Sequence, residues 1–159
     1  MEKVAKAVLR YLFQEYKKAP TVLYSINTVT AFYKTDALTV ANFLVDKKWI
    51  REEWINQNEV TCRISVEGIQ IVNALFIHNK ITNLVAGLAE GGGSRELMTI
   101  FQNNIEEYAI ALDIVYHMEK MGLVSIIHNQ GRVDVELTSS GWTFSESGGK
   151  ALLVLMSVA

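Results

Sequence analysis

Two stretches of this 159-residue chain are similar to each other and lie 73 positions apart, NQNEVTCRISVEGIQI (residues 56–71) and NQGRVDVELTSSGWTF (residues 129–144). The same offset places Val60 on Val133, Ile64 on Leu137 and Gly68 on Gly141, and residues 8–12 on apolar positions of 81–85. A run of matches without a gap indicates a duplication. We therefore expect the chain to fold as two copies of one structural unit.

Each copy begins with a pattern of three helices. Residues 4–18 carry apolar side chains at helical spacing, and their counterpart at residues 77–90 ends at three glycines, as helix C-termini often do. Two further helices are expected in each copy, at residues 26–33 and 36–48, and at 95–102 and 105–121. Thr35 and Asn104 are the residues predicted to cap the second helix of each pair.

A two-stranded hairpin and a closing helix follow in each copy. Val133, Val135 and Leu137 alternate with charged residues, which is the pattern of a half-buried strand. Gly131 and its counterpart Asn58 stand at the hairpin tips, where a positive φ is needed. A Ser or Thr then stands where the closing helix begins. The sequence therefore predicts a mainly α fold with small β-hairpins, in the α+β class.

The segment ALDIVYHMEKMGLVSIIHNQGRVDVELTSSG (residues 111–141) resembles the recognition helix, wing and closing helix of bacterial winged-helix regulators. The segment ANFLVDKKWIREEWINQNEVTCRISVEG (residues 41–68) is similar, with Trp49 where that family usually has a glycine. The resemblance implies two tandem winged-helix domains, residues 1–76 and 77–159. We expect a shared connecting helix at about residues 66–90 to hold them as one rigid body.

Enzymatic and metal chemistry find little support in the sequence. The three histidines, His78, His117 and His128, are not spaced as metal ligands, and the only cysteine, Cys62, falls on an inward strand position. The segment GGGSRE lacks the strand and the Gly-Lys-Ser/Thr of a phosphate-binding loop, so a loop and helix start is expected there. No apolar run reaches the length of a spanning helix. We expect a cytoplasmic protein without catalytic residues, cofactor, metal or membrane partner.

The first copy is the only candidate for DNA binding. Residues 1–73 hold ten Lys and Arg against eight Asp and Glu, whereas residues 74–159 hold five against nine. Phosphate contacts supply most of the affinity of nucleic-acid binders, so the acidic second copy argues against DNA. The candidate DNA contacts, by alignment with the winged-helix pattern and by charge, are Lys34, Thr35, Thr39, Lys47, Lys48, Arg51 and Arg63.

A protein interface fits the second copy better. Tyr108, Leu112 and Tyr116 recur at four-residue spacing and share one helix face, of which part is expected to be core. Trp54, Trp142 and the apolar C-terminal tail extend the candidate surface. The full set of candidate interface residues is Trp54, Tyr108, Leu112, Tyr116, Trp142, Leu152, Leu153 and Leu155.

Two functional hypotheses follow from these patterns. The first is a non-enzymatic regulatory or assembly adaptor that binds protein through the recognition-helix surface of the second copy. The alternative is a DNA-binding transcriptional regulator that uses the first copy and its wing, with the second copy dimerising. The apolar tail is expected to dock either on its own chain or on a second subunit, and a homodimer is the favoured assembly under both hypotheses.

Overall fold

The structure is a computed structural model that describes residues 1–101 and 104–147. The chain is a mixed α+β protein that divides into two units, residues 1–73 and residues from Ala74 onwards. Within the described residues, each unit has the same order of elements. A helix is followed by a short strand, two more helices, a two-stranded hairpin and a last helix.

The first unit contains three helices and a three-stranded antiparallel sheet before its last helix begins. Its elements are α1 (Glu2–Lys18), β1 (Tyr24–Ser25), α2 (Asn27–Phe32), α3 (Ala37–Asp46), β2 (Ile50–Asn56) and β3 (Glu59–Ile64). The strand order is β1-β3-β2, so β3 lies in the middle. Asn27 ties the start of α2 to the hairpin, because its side-chain amide donates to Asn58 O and accepts from the Val60 N–H, each at 2.8 Å.

The core of the first unit follows from the periodicity of these elements. Val8 and Leu12 of α1 lie on one helical face and are buried, as is Leu44 of α3. On β3, every second side chain points inward, and Val60 and Cys62 are fully buried. The expected inward position of Cys62 is therefore confirmed.

A long helical segment, α4 (Val66–Glu90), follows the first sheet and is interrupted once. Asn73 has an extended backbone, with φ −156° and ψ 76°, so the segment consists of helical residues 66–72 and 74–90. The boundary between the two units falls directly after Asn73. The expected helix end at the three glycines is confirmed. Gly92 and Gly93 have positive φ, and the Gly93 N–H donates to Leu88 O at 2.7 Å.

The second unit continues with a sheet of the same order. Its elements after α4 are β4 (Ser94–Glu96), α5 (Leu97–Phe101), α6 (Ile105–Lys120), β5 (Val124–Asn129), β6 (Arg132–Leu137) and α7 (Ser139–Glu146). The strand order is β4-β6-β5, with β6 in the middle. Ile81 of α4, Ile114 and Met118 of α6, and Val135 of β6 are fully buried and form part of its core.

The closing helices begin in the same way in both units. Ser65 Oγ donates to Lys48 O at 2.7 Å and accepts from the Gly68 N–H at 3.0 Å. Thr138 Oγ1 donates to Gly122 O and accepts from the Gly141 N–H at 3.1 Å. The predicted Ser or Thr caps are therefore confirmed.

The two glycines in these turns face equally crowded surroundings. A Cβ added to Gly68 would lie 2.2 Å from Trp49 O, and one added to Gly141 would lie 2.2 Å from Leu123 O. Gly68 and Gly141 are thus required because the closing helix passes directly over a backbone carbonyl group.

These shared hydrogen bonds correct the residue matching at the turn before each hairpin. Trp49 corresponds to Leu123, an offset of 74, and Lys48 corresponds to Gly122. Lys48 has φ 62° and Gly122 has φ 78°, so Lys48, and not Trp49, takes the position of the glycine. A β-bulge between Arg51 and Trp54 inserts one residue and restores the offset of 73. The expectation of a match without any gap was therefore wrong.

Other boundaries also differ from the expected ones. Asp36, not Thr35, caps α3, because its carboxylate accepts from the Thr39 N–H. Asn104 caps α6 as predicted. The helix expected at residues 95–102 begins only at Leu97, because Ser94–Glu96 forms a strand on β6. The strands β1 and β4 are too short to give a two-residue periodicity that a sequence could show.

The hairpin tips have the expected conformation. Asn58 has φ 71° and Gly131 has φ 78°, and the residue before each, Gln57 and Gln130, also has a positive φ. Two successive positive φ values are typical of the tight turn that fits the twist of a hairpin.

Candidate functional site

The most distinctive surface of the second unit lies around the N-terminal half of α6. Asn104 Oδ1 accepts from the Glu107 N–H at 3.0 Å and fixes the first turn. Ile105 follows this cap and is 73% exposed, although its side chain is fully apolar. Glu106 and Glu107 are also exposed and lie in the same first turn. This end of α6 therefore presents one apolar side chain and two carboxylates.

The predicted stripe along α6 lies beside the buried face of the helix. The buried face consists of Ile110, Ala111, Ile114, Val115 and Met118. Tyr108 and Leu112 are half-buried and Tyr116 is exposed. Tyr116 stacks on His128 of β5 with ring centroids 6.1 Å apart, and its hydroxyl group lies 3.4 Å from His128 Nε2. The stripe is thus partly core and partly surface.

The remaining candidate interface residues do not lie on α6. Trp142 is partly exposed and packs on the glycine turn, since a Cβ on Gly93 would lie 2.6 Å from its ring. Trp54 belongs to the first unit, where it is 65% exposed on β2. Leu152, Leu153 and Leu155 lie outside the described residues.

The N-terminus of α3 in the first unit is closed by a carboxylate. Asp36 Oδ2 accepts from both the N–H and the hydroxyl group of Thr39, each at 3.0 Å. A phosphate at a helix N-terminus needs free N–H groups and a favourable potential, whereas the Asp36 carboxylate occupies the Thr39 N–H and places a negative charge at this end. Thr35 Oγ1 donates to Tyr33 O at 3.0 Å, whereas Lys34 is exposed with φ 52°.

Some of the candidate cations near the first hairpin already interact with other side chains. Arg63 forms an ion pair with Glu52 at 3.0 Å, and its side chain is only 10% exposed. Arg51 is half-buried and lies directly opposite Arg63 in the register of β2 and β3. Lys47 lies 5.6 Å from the centroid of the Phe43 ring, and Lys48 is exposed. The exposed cations of this set are therefore three lysines, Lys34, Lys47 and Lys48.

The second hairpin pairs its cation in a similar way. Arg132 contacts Asp134 at 3.1 Å and Glu96 at 3.7 Å. Asp134 raises the pKa of the Arg132 guanidinium group through a hydrogen bond and its charge, and Glu96 adds to this effect. This arginine is thus neutralised by two carboxylates.

A cavity of about 160 Å³ lies in the second unit between α4, α5 and α6. Sequence patterns did not point to it, because its lining residues come from three different helices. They are Lys80, Asn83, Leu84, Ile100, Phe101, Glu107, Ile110 and Ala111. Five of these side chains are apolar and three are polar.

Buried ionisable groups do not form a reactive cluster in residues 1–101 and 104–147. Burial raises the pKa of the Cys62 thiol to about 12, and the charge of Glu53 acts in the same direction, so the group is a thiol at neutral pH. Among the described residues, no group of three or more His, Cys, Asp or Glu side chains is arranged to hold a metal ion. In the same residues, none of the helices combines the length and the apolar character that crossing a membrane requires.

The chain matches no protein-family model, no curated protein and no solved structure.

Proposed function

We propose that each unit is a winged helix and that the chain is a non-enzymatic adaptor, which binds a protein partner through the N-terminal half of α6. The order of elements, the strand order and the position of the hairpin support the winged-helix assignment. In such folds, α3 and α6 are the recognition helices and the hairpins are the wings.

The observation that carries the protein-binding proposal is the composition of the α6 surface. A helix that contacts DNA needs cations and hydrogen-bond donors toward phosphates and bases. The exposed first turn of α6 instead presents Ile105, Glu106 and Glu107. Carboxylates would repel phosphates, whereas Ile105 lies by helical spacing on the same face as Tyr108, Leu112 and Tyr116, and a contiguous apolar patch of this kind is typical of a protein interface.

The charge pairs of the two hairpins also support this proposal over DNA binding. Arg63 is paired with Glu52, and Arg132 with Asp134 and Glu96. A wing arginine that is already neutralised contributes less to phosphate binding, because its carboxylate partner must first be displaced. The exposed lysines Lys34, Lys47 and Lys48 favour the alternative, a regulator that contacts DNA through its first unit.

Photo-cross-linking in the native cell tests the protein-binding proposal. A photoreactive residue placed at Ile105 or Leu112 is expected to give one discrete protein adduct. Leu38 is the matched control, because it is exposed and occupies on α3 the position that Leu112 occupies on α6. We expect no adduct from Leu38. Adducts from Leu38 alone would contradict the proposed role of α6.

A salt series with random-sequence duplex DNA tests the alternative. The adaptor is expected to show no binding at about 50 mM salt, where nonspecific electrostatic binding is easiest to detect. Binding that weakens steeply with salt, with a smaller slope for Lys47→Ala and Lys48→Ala, would establish the DNA-binding regulator in its place. The expected homodimer and cytoplasmic location are separate parts of the proposal, tested by light scattering and by cell fractionation.

A further inference from the structure

We propose that a second copy of this chain adds to the outer edge of β5, so that the three-stranded sheets of two second units join into one antiparallel sheet. The edge concerned runs along Val124–Asn129, and β6 pairs with the opposite side of the strand. This inference rests on the homodimer that is part of the proposed function, because it names the surface through which two chains would associate.

β5 is the least protected edge strand in the part of the chain that the structure describes. The edge strands β1 and β4 have two and three residues, and short strands offer few backbone groups to a partner. β2 is longer, but it carries Arg51, Glu52 and Glu53 and contains a β-bulge, with φ 54° at Glu52. Charged side chains and bulges both hinder strand addition. β5 has six residues in unbroken register with β6, and none of them is Asp, Glu, Lys or Arg.

One hydrogen bond shows which groups of β5 point to this edge. The Ile126 N–H donates to Glu119 Oε2 of α6 at 3.1 Å, so it points away from β6. Because the backbone groups of an antiparallel strand point alternately to its two sides, those of Val124 and His128 also point outward. The His128 ring stacks on Tyr116 of α6 and therefore does not lie across the edge. An approaching strand thus meets the N–H and C=O groups of three residues.

The positions of these three residues make β5 complementary to itself. Val124 and His128 lie two positions on either side of Ile126. An antiparallel copy centred on Ile126 therefore pairs Ile126 with Ile126 of the second copy, and Val124 with His128 of the second copy, so that each pair can exchange both hydrogen bonds. Ile127, which is 51% exposed, then lies opposite Ser125 of the second copy. No like charges face each other within this ladder.

Glu119 opposes the association in the single chain. Its carboxylate accepts from the Ile126 N–H, which must be released before a second strand can bind there. The two Glu119 carboxylates would also approach each other near the axis that relates the copies, and like charges repel. Glu119 therefore weakens the dimer, and its removal is expected to tighten it.

Sedimentation velocity of the full chain over a concentration series up to about 1 mM tests the proposal. The wild type is expected to show a reversible equilibrium between monomer and dimer. His128→Pro removes an outward N–H, which an edge strand tolerates, and is expected to raise the dimer Kd about tenfold. Ile55→Pro is the matched control, because Ile55 lies at the same distance from the hairpin tip on β2, and it is expected to leave Kd unchanged. A monomeric wild type, or equal effects of both variants, would overturn the proposal.

Two further sets of variants test the edge without proline. Ile127→Lys places a charge on the edge and is expected to weaken the dimer even if His128→Pro fails to fold. Glu119→Ala is expected to lower Kd about fivefold, because the hydrogen bond that closes the edge is lost. Glu119→Gln keeps an acceptor for the Ile126 N–H and is expected to lower Kd less. Weaker association of Glu119→Ala would contradict the assigned edge.

Mixed disulfide formation tests the register. Ser125→Cys and Ile127→Cys chains, mixed under mild oxidation, are expected to form a disulfide-linked dimer faster than either variant alone, because these positions face each other at a Cα separation of roughly 4.5 Å. Cys62 is buried and does not compete. A dimer that persists in His128→Pro and forms no mixed disulfide would remove the β5 interface and leave the homodimer intact. A protein adduct from Ile105 in a monomeric chain would overturn this inference and leave the adaptor.

Discussion

The helices α3 and α6 end alike and begin differently. Each ends in a turn with a positive φ, at Lys48 and Gly122, that leads into the hairpin. Their N-termini differ, because α3 has 10 residues and α6 has 16. The two units thus share the C-terminal half of this helix, which leads into the hairpin, and differ in its N-terminal half.

This difference shows where the fold tolerates change. The hydrogen bonds from Ser65 and Thr138 close both units against a fixed carbonyl group, which makes that region difficult to vary. The N-terminus of α6, which is capped by Asn104, instead presents an exposed isoleucine and lines part of a cavity. Function is expected to differ between the units at this end, whereas stability is expected to depend on the same contacts in both.

The largest expected effect tests that shared closure. Gly68→Ala and Gly141→Ala each bring a Cβ to within 2.2 Å of a carbonyl oxygen, so the closing helix must shift. We expect each variant to lower the free energy of unfolding by about 3 kcal/mol, at the upper end of typical overpacking costs. Urea denaturation measures the effect.

A glycine in open surroundings is the control for this pair. Gly87 lies within α4 and has no heavy atom within 4 Å of an added Cβ. Gly87→Ala is expected to raise stability by up to about 1 kcal/mol, because alanine has the higher helix propensity. If only one of the two crowded glycines were sensitive, the closures would not be equivalent.

Cys62 and Val135 provide the next comparison, because both are fully buried on the middle strand of their sheets. Burial raises the pKa of Cys62 from 9.0 to about 12. Between these two pH values the unfolded chain releases the thiol proton and the folded chain keeps it, so stability falls as pH rises. The expected slope is about 1.4 kcal/mol per pH unit at most.

Cys62→Val reproduces the residue of the second unit and removes this pH dependence. Denaturation of both proteins at pH 8, 9 and 10 measures the difference, since other groups titrate equally in the two chains. The wild type is expected to lose stability relative to the variant as pH rises through 9, with the larger loss between pH 9 and 10. Parallel curves would show that the Cys62 thiol ionises as readily in the folded chain as in the unfolded one.

Much of this fold can be predicted from the sequence, because the patterns that indicate its helices and strands are local and occur in both units. The amphipathic pattern of α1, the glycine end of α4 and the alternation on β6 each depend on residues that are near in sequence. The exact glycine equivalence was missed, because a β-bulge in β2 shifts the offset from 74 to 73. A bulge is set by pairing between strands and leaves little trace in one strand alone.

The candidate site was less predictable than the fold. Tyr108, Leu112 and Tyr116 were placed on one face correctly, but their burial depends on the helices packed beside them. The exposed Ile105 and the cavity were missed, because the cavity requires residues about 30 positions apart to meet. The Glu52 partner of Arg63 and the Glu96 partner of Arg132 were likewise set by cross-strand register, which sequence order alone does not give.

Lys48 and Gly122 occupy the same position in the turn before each hairpin, so each can be replaced by the residue of the other unit. Lys48 has φ 62°, where a side chain costs roughly 1–2 kcal/mol relative to the right-handed conformation. Lys48→Gly is therefore expected to raise the free energy of unfolding by about 1 kcal/mol, after the greater chain entropy of glycine is included. Gly122→Lys is expected to lower it by a similar amount, measured by urea denaturation.

The neighbouring Lys47 is the control for this exchange. Lys47 has φ −82° and gains nothing from glycine, so Lys47→Gly is expected to leave stability unchanged or to reduce it. A stabilising effect of glycine at both positions would point to lysine repulsion rather than to backbone conformation.

The smallest expected effect distinguishes the ion pairs of the two hairpins. The Arg63–Glu52 pair has an arginine side chain that is 10% exposed, whereas Arg132 beside Asp134 is 54% exposed. Solvent screens the second pair more, and Glu96 remains near Arg132 when Asp134 is changed. We expect Glu52→Gln to reduce stability by about 0.5 kcal/mol and Asp134→Asn to reduce it less.

Urea denaturation at 0.05 M and 1 M NaCl measures this difference, since salt weakens exposed ion pairs more than shielded ones. The effect of Glu52→Gln is expected to persist partly at high salt, and that of Asp134→Asn to disappear. If both effects vanished equally, Arg63 would be as accessible to solvent ions as Arg132. The first hairpin would then have a cation available to phosphate. This result would favour DNA binding by the first unit.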